Sequence, residues 1–572
     1  MELTRRDFLK AAGLTGLGAA SLAALSACSG KTPSPGQPGK NGTGDGAPAV
    51  HPDEWDIAAK GCFRPSRPEN VDEIPGGFPT SRDRLIIRLD QDAGSLDPMQ
   101  GGVYAQPSAI FNLCGTSMLA AGYVDGGIDF QVNQYTLCDA MTWDDDMLGV
   151  TFHIRDNAYF HNGDPVLASD AAFSVKRFRE NVRFSYINFE NIAVKSDKEL
   201  YIPLNRGDGN FLFIMGIFCR VFSERAYNEA VAGGSEADFF YSSEGLCGMY
   251  EIEEWVASDH VTLKADPNFY KPAVIDTITF RFIADNTVAM MELETGGIDV
   301  LYTPSNTDVT NVLDGQYAES ISGIEDSGDV MTILGFNIAG SLSDLNLRYA
   351  VVHAVDWRTI IKTAWGVLGS EPTTILASTL YGLSDTAGWW QGIYDVEKAK
   401  EYLAKTAYPN GLEMTLVITN GANVVAASEM LAKYLGEIGI KLSIETYDTA
   451  TQGSMINNTE GWDLWIRDWG GYGMTWGSNF IEGGTYDAVC HPAITEPDHA
   501  KEMYDLGVKL SSTLDREQFK AVAKELQDGY LDGRFFYFFP ITQVKSVTLG
   551  AAQFHNWYKC KDNLYLADAY FE

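Results

Sequence analysis

The chain's 572 residues allow several domains of ordinary size, and 45% hydrophobic with 21% charged residues is a globular rather than a disordered composition. Its 77 acidic residues against 42 basic ones give a formal charge of −35, which repels phosphate backbones and anionic lipid heads and so excludes a nucleic-acid partner. The excess serves solubility before it serves specificity.

At the amino end, Thr4-Arg5-Arg6-Asp7-Phe8-Leu9-Lys10 sets paired arginines ahead of a 17-residue apolar run, Ala11 to Ala27. That run falls short of the ~20 residues of a membrane span. Small residues, Ser26-Ala27, precede Cys28. The pattern reads as a twin-arginine export signal closed by a site resembling a bacterial lipobox. The expectation is removal of 1–27, diacylglycerol on the Cys28 sulfur, and an extracytoplasmic protein held to the bacterial cell membrane by that lipid alone. Losing three basic and two acidic residues takes the formal charge to −36.

Ser29 to about Val50 is Gly, Pro, Ser, Thr and Lys with almost no apolar residue, too little to offset the entropy of ordering. Residues 28–80 therefore read as a lipid-anchored flexible tether and amino-terminal extension, whose coil of about 22 residues reaches roughly 25 Å. With Cys28 lipidated, Cys62, Cys114, Cys138, Cys219, Cys247, Cys490 and Cys560 remain; their odd number leaves at least one out of any intramolecular pairing. There is no Cys-x-x-Cys pair or His-Glu-x-x-His spacing, so neither a metal nor a cofactor is expected.

Ordered structure is expected from Arg84-Leu85-Ile86-Ile87-Arg88-Leu89, a strand that ends in turn formers at Asp92-Ala93-Gly94. Val150 to Arg155 and Asp276 to Phe282 are further strands. Helical spacing and caps mark Ala168–Phe178, Asn346–Lys362, Val396–Thr406, Val424–Ile438 and Arg516–Tyr530. The mixture indicates an α/β chain.

Thr151-Phe152-His153-Ile154-Arg155 leads through Phe160-His161-Asn162-Gly163-Asp164-Pro165 to Ala168-Ser169-Asp170 and a helix. This resembles the signature of the family 5 extracellular solute-binding proteins, the peptide and nickel receptors of ABC importers. In that frame His153 and His161 are framework residues. Further similarities follow in the family's order: Leu96-Asp97-Pro98, Gly248-Met249-Tyr250, Asn268-Phe269-Tyr270, Gly296-Gly297-Ile298-Asp299, Leu347-Arg348-Tyr349-Ala350 with Ala354-Val355-Asp356, and Tyr394-Asp395 through Gly411. They span about residues 84–560. The resemblance implies a two-lobed periplasmic-binding-protein type II fold with an extra subdomain in lobe one. It places lobe one at 81–115, 230–335 and 536–572, the extra subdomain at 116–229 and lobe two at 336–535. Two lobes that shut by a hinge turn ligand binding into a shape a transporter can recognise.

Gly461-Trp462-Asp463-Leu464-Trp465-Ile466-Arg467-Asp468-Trp469 alternates as a strand and breaks into Gly470-Gly471-Tyr472-Gly473-Met474-Thr475-Trp476. Alternation sets Asp463, Trp465, Arg467 and Trp469 on one face and Trp462, Leu464, Ile466 and Asp468 on the other, one of which must be core. Trp469, Tyr472 and Trp476 are candidate stacking walls, Gly471 a point of close backbone approach, and Arg467 either a clamp for a ligand carboxylate or the partner of a neighbouring Asp. The resemblance implies that this segment faces the cleft. Peptide-binding relatives carry an aspartate just after the tryptophan, whereas Gly470 to Gly473 contains no acid. Asp468 lies on the wrong side of Trp469, so either another acid binds the ammonium or the ligand lacks that charge.

The reading is a monomeric receptor that captures a peptide or similar small solute and passes it to an ABC permease and ATPase, performing no chemistry. A receptor for a nickel or other metal chelate is the alternative within the family. An exported enzyme is the remote one, because the chain lacks Gly-x-Ser-x-Gly, a phosphate loop and a dinucleotide fingerprint.

Overall fold

The computed structural model describes residues 63–65, 72, 74–92, 94–97, 108–124, 127–180, 184–317, 319–471, 473–560 and 563–572. The export signal, Cys28, most of the 28–80 tether and Tyr472 lie outside the described residues.

The strands that organise the molecule are β1 (Arg84–Leu89), β2 (Cys138–Trp143), β3 (Gly149–Ile154), β4 (Glu199–Pro203), β5 (Tyr250–Val256), β6 (His260–Ala265), β7 (Thr277–Phe282), β8 (Val300–Tyr302), β9 (Ile321–Phe336), β10 (Glu413–Thr419), β11 (Lys441–Tyr447), β12 (Leu464–Gly470) and β13 (Phe538–Ala551). The helices used below are α1 (Ala168–Lys176), α2 (Leu345–His353), α3 (Trp357–Ala364), α4 (Val396–Leu403), α5 (Ala422–Gly436), α6 (Thr449–Ile456), α7 (Thr485–Cys490), α8 (Pro497–Ser512) and α9 (Arg516–Leu531).

A twelve-stranded mixed sheet runs in the order β11-β10-β12-β9-β13-β8-β1-β7-β6-β5, with two short strands off this path. β1 pairs in parallel with β7, Arg84 opposite Thr277 through Leu89 opposite Phe282, and buries Leu85, Ile87 and Leu89 completely. A separate four-stranded sheet contains β2, β3 and β4.

Two large hydrophobic cores lie at the two ends of the main sheet. One gathers Leu85 and Ile87, the residues around β2 to β4, Phe280 and the carboxyl-terminal Phe554 to Phe571. The other gathers Met331 to Tyr537 and the start of β13. β9 and β13 run through both regions: β9 gives Ile324 to the first core and Met331, Ile333 and Leu334 to the second. Their antiparallel ladder extends from Ile321 opposite Ala551 to Gly335 opposite Phe538, with register shifts between Asp326 and Val330 and between Thr332 and Ile333.

The single helix expected over Asn346–Lys362 is two, α2 and α3. Asp356 breaks it by acting as a cap: its Oδ1 accepts from Thr359 N at 3.1 Å and its Oδ2 from the Thr359 hydroxyl at 2.7 Å. Trp357 folds back, its indole N–H donating to Val352 O at 2.9 Å. Cys114, Cys138, Cys219, Cys247, Cys490 and Cys560 are buried free thiols, so no disulfide closes among the described residues.

Close packing at Gly335 of β9 leaves no room for a side chain, since a Cβ there would lie 2.0 Å from Trp465 Cε2. Gly335→Ala is expected to cost about 1–3 kcal/mol, read as a lower urea midpoint, whereas Gly388→Ala, with nothing within 4 Å, should leave the midpoint unchanged. His353, buried and stacked 5.4 Å from Tyr402, is held neutral by burial and then by Lys398, with a pKa of about 4. The unfolded chain takes up that proton first, at about pH 6.5. Stability from this group is therefore complete above about 6.5 and falls by up to about 3 kcal/mol as pH drops through 4; urea titrations of His353→Gln should show a shallower loss over the same range.

Candidate functional site

β10 runs parallel to β11 and to β12, so the carboxyl ends of all three lie on one edge, where open α/β sheets hold their ligands. β12 ends there in Arg467-Asp468-Trp469-Gly470, antiparallel to β9, with Asp468 opposite Thr332 and Trp469 opposite Met331. The end of β12 thus meets the strand that passes between the two cores.

Both faces of β12 are core at its start, contrary to the one-face expectation: Leu464, Trp465 and Ile466 are all buried. A central strand between β10 and β9 is covered on both sides, and Trp465 fixes itself by donating to Val489 O at 3.1 Å. Burial falls away only from Arg467 onward.

Asp468 accepts a 2.6 Å hydrogen bond from the fully buried Thr332 hydroxyl, its one hydrogen bond among the described residues. Its side chain is solvent-accessible, yet burial pushes its carboxyl above the usual carboxylate range while the Thr332 bond pulls it down. A carboxylate there, short of hydrogen bonds, favours a cationic partner.

Trp469 is half-buried, 5.9 Å from the Tyr486 ring, and its buried indole N–H has no acceptor among the described residues. Tyr486, on α7, is stacked on Phe538 at 4.4 Å and likewise keeps a buried hydroxyl without a partner. Two such groups side by side are exceptions to the pairing of buried polar atoms. Arg467 is half-buried beside Gly453 of α6, where an added Cβ would stand 3.6 Å from its Nη1. Among the described residues it forms no ion pair with a neighbouring Asp.

Trp476, expected as a stacking wall, is inside the core: it is fully buried between Phe480 and Phe519 and donates to Tyr381 O at 2.9 Å. Gly471 has its own reason, because a Cβ would meet Leu380 Cδ2 at 2.9 Å. The loop is thereby seated on Leu380 and Tyr381, whose N–H donates to Gly473 O at 2.8 Å. Beside it opens a cavity of about 620 Å³ lined by Ser378, Tyr381, Glu517 and Lys520.

His153 pairs with Asp139 at 2.6 Å, and His161 bonds to the carbonyls of Ser243 and Gly248. No group of three or more His, Cys, Asp or Glu side chains among the described residues is placed to hold a metal. Sequence reasoning missed Thr332 and Tyr486 as members of the site. Thr332 lies 136 positions from Asp468, and nothing local reveals a cross-strand partner.

Removing the Thr332 hydroxyl takes away the described bond to the ionised form of Asp468. Carboxyl carbon NMR should find Asp468 titrating at higher pH in Thr332→Val than in the parent protein; an unchanged titration would contradict the pairing.

The family model of the bacterial extracellular solute-binding proteins, family 5 Middle, matches residues 133–488. Heme-binding protein A of Haemophilus influenzae is 23% identical over 361 residues, covering 56% of this chain and 65% of that protein. The match thus spans less than two thirds of that relative's length. Among solved structures, the ABC transporter substrate binding protein CtaP of Listeria monocytogenes superimposes with a TM-score of 0.72 at 18% identity, over 86% of this chain and 99% of that one. The dipeptide binding protein of Pseudoalteromonas sp. SM9913, in complex with Met-Leu, does so at 0.68 and 18%, over 86% and 100%. These likenesses show the fold: a two-lobed periplasmic binding protein.

Proposed function

Because this chain belongs to the family 5 bacterial extracellular solute-binding proteins, we propose that it is the extracytoplasmic receptor of an ABC importer, enclosing a peptide-like solute between its two lobes and delivering it to a permease and ATPase. The observation that carries the reading is the exposed Asp468 carboxylate, held by Thr332 at the sheet edge where β12 meets the crossing strand β9. An ammonium on the solute would satisfy the acid, and a carbonyl would satisfy the indole. From the face of β12 opposite Trp469, Asp468 is the proposed substitute for the acid absent from Gly470 to Gly473. Trp469, Arg467, Gly471 and Tyr472 form the proposed contact surface, with Trp476 supporting the loop from behind.

Closure rests on the long paired strands β9 and β13 as the connection between the lobes, so that rotation about them brings the lobes together without breaking either core. In this reading the protein acts as a carrier, as the family to which it belongs does. Lipidation of Cys28 after export by the twin-arginine route would keep the monomer at the membrane face, within reach of the permease. The dipeptide complex of the Pseudoalteromonas protein supports a peptide over a metal chelate.

Tryptophan fluorescence of the purified mature protein, titrated with peptide pools, their amino-acetylated counterparts, chelated nickel and haem, tests this. Free-amine peptides should bind, acetylated ones should bind poorly, and Asp468→Asn should weaken the free-amine ligands by about 10- to 100-fold. Saturation by chelated nickel or haem with no response to peptides would overturn the reading, as would recovery of a chemically altered ligand.

A further inference from the structure

A second recess, of about 600 Å³, lies where the first core's β2–β4 region faces the second core, and both sides line it: Arg206, Asp208, Phe213 and Phe218 from one, Asn479 and Thr485 from the other. The loop Arg206-Gly207-Asp208-Gly209-Asn210 bridges the two sides. Gly209 N–H donates to Ser511 O at 2.6 Å. A Cβ on Gly207 would stand 2.5 Å from Ser512 O, and one on Gly209 2.7 Å from Met474 O. Only glycines allow the loop to seat so closely on the opposite backbone.

Asp208, 4% exposed, sets the loop's shape. Its Oδ1 accepts from Asn210 N at 3.0 Å and Asn210 Nδ2 at 2.9 Å, and its Oδ2 from Arg206 Nη1 at 3.0 Å. That carboxylate is therefore engaged, while Arg206 is half exposed, 5.9 Å from the Tyr186 ring, and its other N–H groups have no acceptor among the described residues. On the facing wall, Asn479 Oδ1 accepts from the Thr485 hydroxyl at 3.1 Å, which orients the carboxamide with its N–H₂ free. A guanidinium and an amide donor above the Phe213 and Phe218 rings suit a carboxylate carried on an apolar stem. Thr485 immediately precedes Tyr486, which packs against Trp469, so the recess adjoins the site already described.

We infer that this recess is a second ligand subsite, which binds a carboxylate of the solute through Arg206 and Asn479 and is completed only when the Arg206–Asn210 loop docks on the opposite lobe. The inference rests on the proposed receptor function. It also narrows the solute class to zwitterions, with an ammonium at Asp468 and a carboxylate here.

Calorimetry with a panel of tetrapeptides, each as free acid and as carboxyl-terminal amide, tests it. The parent protein should prefer the acids by at least tenfold. Arg206→Gln should abolish that preference while amide affinity stays within about twofold, and Arg206→Lys should restore part of it. Because Arg206→Gln leaves Asp208 without its cation, the double variant Arg206→Gln/Asp208→Asn serves as the neutral pair and should behave identically. Gly209→Ala, which blocks docking of the loop, should also erase the preference. Binding without acid preference, or a preference that survives Arg206→Gln, would overturn the subsite alone; failure of every peptide to bind the parent protein would overturn the receptor reading and the subsite with it.

Discussion

The antiparallel pairing of β9 with β13 is the constraint on which the molecule depends. Each strand gives residues to more than one hydrophobic cluster, so neither half can leave the other without opening a ladder of backbone hydrogen bonds. The first register shift, between Asp326 and Val330, falls between Ile324 of one core and Met331 of the other, and the second, between Thr332 and Ile333, lies within the second core. Irregular pairing bends a strand and increases its twist, which is where a two-part molecule tolerates rotation. Thr332 sits at the second shift, opposite Asp468, so this irregularity helps to set the pairing of those two side chains.

Some polar groups near that junction lack partners among the described residues. Trp469 and Tyr486 retain buried donors without acceptors, and Asp468 has one hydrogen bond among the described residues. Each such group costs about 1–3 kcal/mol relative to a paired one. The surrounding aromatic packing, Tyr486 on Phe538 and Trp476 between Phe480 and Phe519, offsets that cost and keeps the groups in place. A ligand that supplies the missing partners recovers the deficit on binding. The loop at Arg206–Asn210 illustrates the converse: Asp208 is fully engaged, so the loop is rigid before any ligand arrives.

Much of the fold was legible in local pattern. The strand at Arg84–Leu89 begins and ends where alternation and turn formers place it, and the helices starting at Ala168, Val396 and Arg516 begin at those residues. Ordered short motifs pointed to the family although each one alone was weak. The errors share a cause. Asn346–Lys362 has continuous helical spacing, but Asp356 caps a new helix instead of lying inside one, a competition between side chain and backbone that periodicity does not register. Trp476 is expected as a stacking wall from its place in an aromatic-rich loop, whereas it fills the core, and Gly471 also makes room for Leu380.

By itself, the sequence determined what depends on neighbours along the chain: the amphipathic periods, the caps and turns, the acidic surface, and a motif order that identifies the family. Which side chains share a recess was decided only by tertiary structure. Thr332 and Asp468, or Gly209 and Ser511, meet because strands and lobes far apart in the chain are brought to one edge. The physical reason is that burial, hydrogen-bond satisfaction and carboxyl pKa depend on everything within a few ångströms, and those neighbours come from all parts of a long chain.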